Sequence, residues 1–291
     1  ERPDRVPLLE LKLDEEVRSV LVGAPLVPWW TGAPSDQRRH AVQQFVRLMH
    51  RLGYDAFWIP TNVPFVFETA ASTDTAGLNR GERKWQSEHA GPIQSFEDFE
   101  RYPWPKISDI DFGPADDIAR ILPEGMGCIG FCNGVFEWSS WLMGLEPFAL
   151  AVYDQPQLVR ALVDRVGQFI YEILEIWSQR EHIVALWTGD DMGFKTSTLV
   201  SPQHLREYIL PWHRRYAELA HGRGKPYILH SCGNLRAIMP DLADDVRIDA
   251  KHSFEDVIQP VEEFHQQWAG KVAAIGGVDM DLLTRGSEQA V

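Results

Sequence analysis

The sequence predicts an α/β fold, a (β/α)8 barrel of the TIM type that lacks its last strand in this chain. Seven short, nearly continuous apolar runs alternate with amphipathic helical segments, a pattern typical of a parallel sheet covered by helices on both faces. An open doubly wound sheet is the alternative. However, no Gly-x-Gly-x-x-Gly follows any of the runs, so a dinucleotide site in such a sheet has no support. We therefore expect residues 1–291 to form one barrel domain.

The first half of the chain supplies three of the predicted strands, at 6–11, 56–60 and 126–132. Between the first two, residues 36–52 have apolar side chains at helical spacing and are followed by Gly53, a residue type that commonly ends a helix. The segment 66–95 is polar with alternating patches, and we interpret it as a hairpin-like excursion from the barrel.

The second half supplies the other four strands, at 183–187, 227–230, 247–250 and 272–275. Helices are predicted at 156–177, 202–221 and 256–268, and a last one from Ser287 onward. Pro211 falls inside the second of these helices and should kink it, because proline lacks the backbone N–H and its ring clashes with the preceding turn.

The composition limits the functions that the chain can have. Hydrophobic residues make up 44% of the sequence, enough for a sizeable core, and no run approaches the roughly 18 apolar residues of a membrane span. No signal peptide is visible at the start and only three cysteines are present, so we expect a cytoplasmic protein without a disulfide framework. A net charge of −14 disfavours nucleic acid and anionic membranes as partners.

Two candidate metal ligands follow the apolar run at 227–230. His230 and Cys232 are two positions apart, and side chains at positions i and i+2 of a strand point to the same side. Imidazole and thiolate are both ligands that suit zinc. A core histidine beside a small buried cysteine is the alternative, since two ligands alone do not make a metal site.

Further polar residues follow the neighbouring strands, at the barrel end where TIM-type enzymes carry their chemistry. We assign catalytic roles to Asp190, Asp191 and His252, which would orient a substrate or handle its proton. The alternative is structural, because aspartates often bind loop amides and histidine often packs at half-buried positions. The candidate substrate-binding residues are Glu137, Trp187 and Asp279. Five tryptophans fall in or near these loops: Trp29, Trp30, Trp138, Trp141 and Trp187. Ordinary packing accounts for most of them, and several together could wall a pocket for a flat, apolar ligand.

The stretch 189–234, together with DAKHSFED (249–256) and IGGVD (275–279), resembles the uroporphyrinogen decarboxylase superfamily, and within it the cobalamin-dependent methyltransferases. The resemblance covers nearly the whole chain and is strongest over 189–279. It implies a (β/α)8 barrel in which His230, Cys232 and a later third ligand bind zinc. It also implies methyl transfer between a small substrate, either a methoxylated compound or a thiol, and the cobalt of a corrinoid.

The resemblance further implies that a partner protein carries the corrinoid. Carriers present an Asp-x-His-x-x-Gly loop, and none of the ten histidines here has an aspartate two positions before it. Two departures from the family stand out. The segment 8–16 is acidic where true uroporphyrinogen decarboxylases have an arginine-rich stretch, which argues against that decarboxylation. The usual third ligand is a cysteine near the eighth strand, so we expect it beyond residue 291. A tetrapyrrole decarboxylase and a non-catalytic metal-binding or corrinoid-binding protein are the alternative functions.

Overall fold

A sheet of seven parallel strands forms the centre of the molecule, in the order β1-β2-β5-β6-β7-β8-β9. The computed structural model describes residues 5–10, 13, 15–23, 35–73 and 82–289. In chain order the strands are β1 (Leu9–Glu10), β2 (Ala56–Pro60), β3 (Thr69–Thr73), β4 (Glu82–Gln86), β5 (Gly127–Asn133), β6 (Ile183–Gly189), β7 (Tyr227–His230), β8 (Ala250–His252) and β9 (Ala273–Ile275). Among the described residues β1 and β9 do not pair, so the α/β barrel is open, as the fold prediction states.

Helices follow most of the strands. They are α1 (Glu15–Val22), α2 (Ser35–Arg51), α3 (Phe96–Arg101), α4 (Gly113–Ala119), α5 (Val135–Met143), α6 (Leu145–Asp154), α7 (Pro156–Ser178), α8 (Pro202–His204), α9 (Leu210–Gly222), α10 (Val261–Trp268) and α11 (Met280–Arg285). A 3-10 turn spans Ile107–Asp109, and π-helical segments span Leu205–Ile209 and Asp241–Val246. None of the helices in the described part of the chain combines the length and apolarity needed to cross a membrane.

The interior strands β5 to β8 bury most of the residues on both of their faces, which explains their nearly continuous apolar sequences. On β6, Ala185 and Trp187 point to one face and contribute to a small inner cluster with residues of β5, β7 and β8. Leu186, between them, points to the other face and joins the larger core shared with the helices. The helix α7 covers this outer face with a stripe that includes Leu162, Val166 and Trp177, all of them buried.

The predicted excursion at 66–95 contains an antiparallel pair, β3 with β4, separate from the main sheet. The predicted kink at Pro211 takes the form of a wider turn. The π-helical segment Leu205–Ile209 ends just before this proline, and the regular helix α9 restarts at Leu210. A π-turn accommodates the missing hydrogen bond and the bulk of the proline ring.

Four predicted boundaries are wrong. The first strand, expected at 6–11, is found at Leu9–Glu10, and the Leu8 backbone N–H before it donates to the Asp55 carboxylate; residues 11 and 12 lie outside the described part of the chain. The strand expected at 247–250 is found at Ala250–His252, because Arg247 has a left-handed backbone (φ 61°) that no strand admits. The helix expected from residue 256 starts only at Val261, because Pro260 occupies the N-cap in an extended conformation. The last helix, α11, ends at Arg285 rather than starting at Ser287, and the Asp279 carboxylate accepts a hydrogen bond from the Leu282 backbone N–H in its first turn.

The sequence reasoning did not identify α1, α3, α4, α5 or α6. The predicted loop with Trp29 and Trp30 lies outside the described residues.

Candidate metal centre

Four of the polar residues named from the sequence, Asp191, His230, Cys232 and His252, lie together at the C-terminal ends of β6, β7 and β8. These strands are adjacent, and their register places Gly189, His230 and His252 side by side. Asp191 comes two residues after Gly189, and Cys232 comes two residues after His230. Parallel pairing therefore brings side chains from three strand ends to one place, as expected for the barrel end that carries chemistry.

Asp191, His230 and Cys232 each direct a potential ligand atom at a common point, and these atoms lie within 4.8 Å of one another. The Cys232 Sγ is 3.5 Å from His230 Nε2, and that nitrogen is 3.3 Å from Asp191 Oδ1. Zinc bonds of about 2.3 Å to sulfur, about 2.0 Å to nitrogen and about 2.1 Å to oxygen, at tetrahedral angles, would separate the same atoms by about 3.5 and about 3.4 Å. The donor set therefore fits a tetrahedral ion such as Zn²⁺.

Cys232 is held through its backbone and through its side chain. Its backbone N–H donates to Asp191 Oδ1 at 2.7 Å, and its Sγ lies 3.4 Å from Ser253 Oγ. Ser253 has a left-handed backbone (φ 82°), and the buried Lys251 Nζ donates to its carbonyl oxygen at 2.5 Å. A strained non-glycine residue of this kind persists only where its surroundings hold it.

The protonation states follow from burial and from nearby charges. Burial, reinforced by the charge of Asp191, raises the pKa of the Cys232 thiol to about 12, so the thiol stays protonated unless a cation is bound. Burial also acts to raise the pKa of Asp191, but the hydrogen bond and charge of His230 outweigh it, and the pKa falls below its ordinary value. A bound cation would favour the thiolate.

His252 lies beside this cluster rather than in it. Its Nδ1 is 2.6 Å from His230 Nδ1, and its ring stands edge-on to Trp187 at a centroid distance of 5.1 Å. Burial, followed by the proximity of His230, lowers the pKa of His252 to about 3, so its imidazole is neutral near pH 7.

Asp190 points away from the cluster into the protein. Its carboxylate is fully buried and accepts hydrogen bonds from the backbone N–H groups of Phe136 (3.1 Å) and Glu137 (2.8 Å), in the first turn of α5. The same group lies 2.7 Å from Nε2 of His213, which is equally buried. An aspartate enclosed in this way suits the holding of α5 against β6 rather than contact with a substrate, and its catalytic role stays a prediction.

His213 is the residue that the sequence reasoning missed. Its Nδ1 lies 2.8 Å from the Tyr227 hydroxyl, which in turn lies 2.5 Å from Thr188 Oγ1, so α9 is connected to β7 and β6 beneath the candidate site. The sequence signal was slight, because His213 follows Pro211 in a helix whose register depends on the preceding π-turn.

The three predicted substrate-binding residues have different environments. Glu137 is held by Asn133 Nδ2 at 2.9 Å, and burial, together with the charges of Asp191 and Asp190, raises its pKa well above the ordinary value. Trp187 is fully buried in the inner cluster, and its ring contacts the ring of His252. Asp279 accepts from the backbone N–H of Asp256 at 3.0 Å, in the loop after β9.

Comparison with known proteins identifies one family. The family model for uroporphyrinogen decarboxylase (URO-D) matches residues 36–291. A curated relative, the methylated-thiol–coenzyme M methyltransferase of Methanosarcina mazei, is 26% identical over 181 residues, which are 62% of this chain and 46% of the relative. The chain thus spans about half the length of that relative.

A solved structure, described as a methyltransferase from Methanosarcina mazei, shares the fold. It superposes with a TM-score of 0.67 at 16% sequence identity, over 96% of this chain and 79% of the other. The likeness supports the barrel-type architecture of the described strands.

Proposed function

The chain belongs to the uroporphyrinogen decarboxylase family, and from this premise we propose that it is a zinc-dependent methyltransferase. It moves a methyl group between a small substrate and the cobalt of a corrinoid that a partner protein carries. One observation supports this proposal above the others: Asp191, His230 and Cys232 place an oxygen, a nitrogen and a sulfur within 4.8 Å of one another at the end of the sheet.

Zinc is the metal that this donor set suits best. Thiolate and imidazole are preferred zinc ligands, and catalytic zinc sites commonly have three protein ligands and one open position. The cysteine expected beyond residue 291 stays a prediction. Asp191 offers a third donor within the described residues, and it approaches the site from β6 while the other two come from β7.

When bound, zinc would act as a Lewis acid that binds the sulfur of a thiol or methyl thioether, or polarises the oxygen of a methyl ether. The residues of the chain would bind the zinc ion and keep its ligands in position. His230 and Cys232 hold the ion, and Asp191 both contributes an oxygen and fixes the Cys232 backbone. Burial and the charges of Asp191 and Asp190 raise the pKa of Glu137, which favours its protonated form beside Asp191.

We propose that the substrate is a small methylated compound, either a thioether or a methyl ether. The curated relative is named for methylated thiols. Beside the site the partly exposed rings of Trp58 and Phe131 meet edge to face at 4.7 Å, and they offer an apolar surface to a methyl-bearing group. Gly189 makes room for this surface, since a Cβ there would lie 2.9 Å from the Phe131 ring.

The decarboxylase alternative fits the site less well. Its tetrapyrrole substrates carry several carboxylates, which Asp191 would repel, and the segment 8–16 lacks the arginines that would bind them. A protein that binds metal without catalysis would differ from the proposed enzyme in having no turnover with a methyl donor and a Co(I) corrinoid.

Zinc analysis tests the site directly. The reduced, purified chain should bind one zinc ion, and Cys232→Ala should lose it while the fold is retained. Cys128→Ala is the matched control. Cys128 is buried in the core near the N-terminal end of β5, whereas the candidate site lies at the C-terminal ends of the strands. Full zinc occupancy in Cys232→Ala, or loss of zinc in Cys128→Ala without unfolding, would contradict the assignment.

A further inference from the structure

His230 has two ring nitrogens, and the structure gives them different surroundings. The Nε2 atom faces Asp191 Oδ1 at 3.3 Å and Cys232 Sγ at 3.5 Å. The Nδ1 atom faces Nδ1 of His252 at 2.6 Å. A metal held with Asp191 and Cys232 can therefore reach His230 only through Nε2, which must offer its lone pair.

The proton of a neutral, metal-bound His230 must then be on Nδ1. Two imidazole nitrogens at 2.6 Å share one proton, so one donates and the other accepts. If His252 were the donor, the His230 proton would be on Nε2 and would block the metal. The geometry is consistent with metal binding only when His252 is the acceptor.

We infer that His252 is a positioning residue: its Nδ1 accepts the Nδ1–H of His230 and thereby directs the Nε2 lone pair of His230 toward Asp191 and Cys232. The inference rests on the proposed metal site and adds to it the residue that selects the tautomer of one ligand. Metal-bound histidines commonly donate their second N–H to an acceptor, and loss of such a partner typically lowers metal affinity by about 10- to 100-fold.

Packing holds the His252 ring in the accepting orientation. One face of the ring is tilted over His230, with centroids 4.9 Å apart, and Trp187 stands edge-on to it. On the β9 side the backbone of Gly276 (φ 98°) lies close, since a Cβ there would be 3.7 Å from His252 Nε2. The ring therefore has little freedom to turn its other nitrogen toward His230.

The tautomers can be read by two-bond ¹H–¹⁵N NMR correlation of the imidazole rings in the metal-free protein at neutral pH. We expect His252 to carry its proton on Nε2, with Nδ1 unprotonated, and His230 to carry a proton on Nδ1. A His252 protonated on Nδ1 would overturn the inference, whether or not the protein binds zinc. Failure of the wild type to bind zinc would instead refute the proposed function.

Zinc affinity, measured by competition with a chelator, provides a second test through paired variants. His252→Phe retains a ring against Trp187 but removes the acceptor, and its affinity should fall about 10- to 100-fold. His252→Asn loses the ring but places an amide oxygen where Nδ1 was, and its affinity should stay within a few-fold of the wild type. A larger loss of zinc affinity in His252→Asn than in His252→Phe would show that zinc binding depends on ring packing and not on the hydrogen bond, and it would overturn the inference.

A control variant separates these effects from general loss of stability. His221 lies 2.8 Å from Asp249, just before β8 and at the opposite end of that strand from His252. His221→Phe should lower the melting temperature without changing zinc affinity. If His252→Phe and His221→Phe weaken zinc binding equally, the effect is structural and the inference fails.

Discussion

Asp190 and Asp191 show how two adjacent carboxylates can acquire different roles from their surroundings. Asp190 is fully buried, and both of its oxygens are used by the first turn of α5 and by His213. Asp191 retains more than a third of its side-chain exposure and faces His230 and Cys232. A sequence alone cannot tell which of two neighbouring aspartates points outward. The strand β6 ends at Gly189, so the alternation of side chains between the two faces of a strand does not extend to Asp190 and Asp191.

The first prediction follows from this difference. Asp191→Asn should weaken zinc binding about tenfold or more and slow methyl transfer, with little change in melting temperature, because the isosteric amide keeps the backbone hydrogen bond but loses the charge. Asp190→Asn should behave oppositely. Weakening an acceptor in a buried hydrogen-bond network costs roughly 1–3 kcal/mol, so its melting temperature should fall by several degrees. Calorimetry and zinc titration of both variants measure the contrast, and equal effects on stability would contradict it.

Ser253 leads to a second prediction at the residue scale. Its left-handed backbone costs an L-amino acid roughly 1–2 kcal/mol, a cost that glycine does not have. Ser253→Gly should therefore raise the melting temperature while lowering zinc affinity, because the hydroxyl 3.4 Å from the Cys232 Sγ is lost. Zinc competition and thermal unfolding measure the two quantities. A destabilised variant with unchanged zinc affinity would show that neither the backbone strain nor the hydroxyl acts as described.

At the scale of elements, the sequence located strands better than helices. The strand at 56–60 and the one at 227–230 match the structure residue for residue, because a short apolar run between turn residues has few alternative readings. The strand near residue 250 was misplaced by the left-handed Arg247, whose conformation no apolar pattern signals. The short helices α3 to α6 were missed because their apolar residues are too many or too few to form one clear stripe.

The packing of α7 against α9 depends on a glycine, and this leads to a third prediction. Alanine in place of a helical glycine normally stabilises by up to about 1 kcal/mol. At Gly167, however, a Cβ would lie 2.2 Å from the Trp212 ring, a clash for which overpacking costs of about 1–3 kcal/mol are typical. Gly167→Ala should therefore lower the free energy of unfolding, and it should disturb His213, which is next to Trp212 in the chain.

Gly222 provides the matched control for this substitution. It is also helical, at the end of α9, and a Cβ there would meet nothing within 4 Å. Gly222→Ala should leave the free energy of unfolding unchanged or slightly raised in denaturant titrations. If both variants are equally stable, the described contact between α7 and Trp212 is wrong.

At the scale of the whole molecule, the fold class could be predicted because it rests on a repeated pattern rather than on single residues. The alternation of apolar runs and amphipathic helices requires a parallel sheet covered on both faces, and the seven strands of the described chain pair in sequence order apart from the β3–β4 excursion. His230, Cys232 and Asp191 could be brought together from the sequence for the same reason, since adjacent parallel strands end at one edge. The Asp190–His213–Tyr227 chain could not, because it depends on side-chain directions in a helix that follows a π-turn.

The fourth prediction concerns the corrinoid. The described site lies at the C-terminal ends of the interior strands β6, β7 and β8, and the sequence has no histidine in the pattern that corrinoid carriers use. The purified chain should therefore not retain free cobalamin through gel filtration, when the cobalamin absorbance of the protein peak is compared with the amount loaded. Tight, stoichiometric retention would show that the cofactor is bound by this chain itself.

Methyl transfer by the purified chain can be measured directly. The zinc-loaded chain is mixed with a Co(I) corrinoid and either a methyl thioether or a methyl ether, and the absorbance change of cobalt methylation is followed. We expect methylation with at least one of these donors, its loss when zinc is removed by a chelator, its recovery when zinc is returned, and its absence in Cys232→Ala with or without added zinc. Equal rates for the zinc-loaded and zinc-free protein, or full activity in Cys232→Ala, would contradict this expectation.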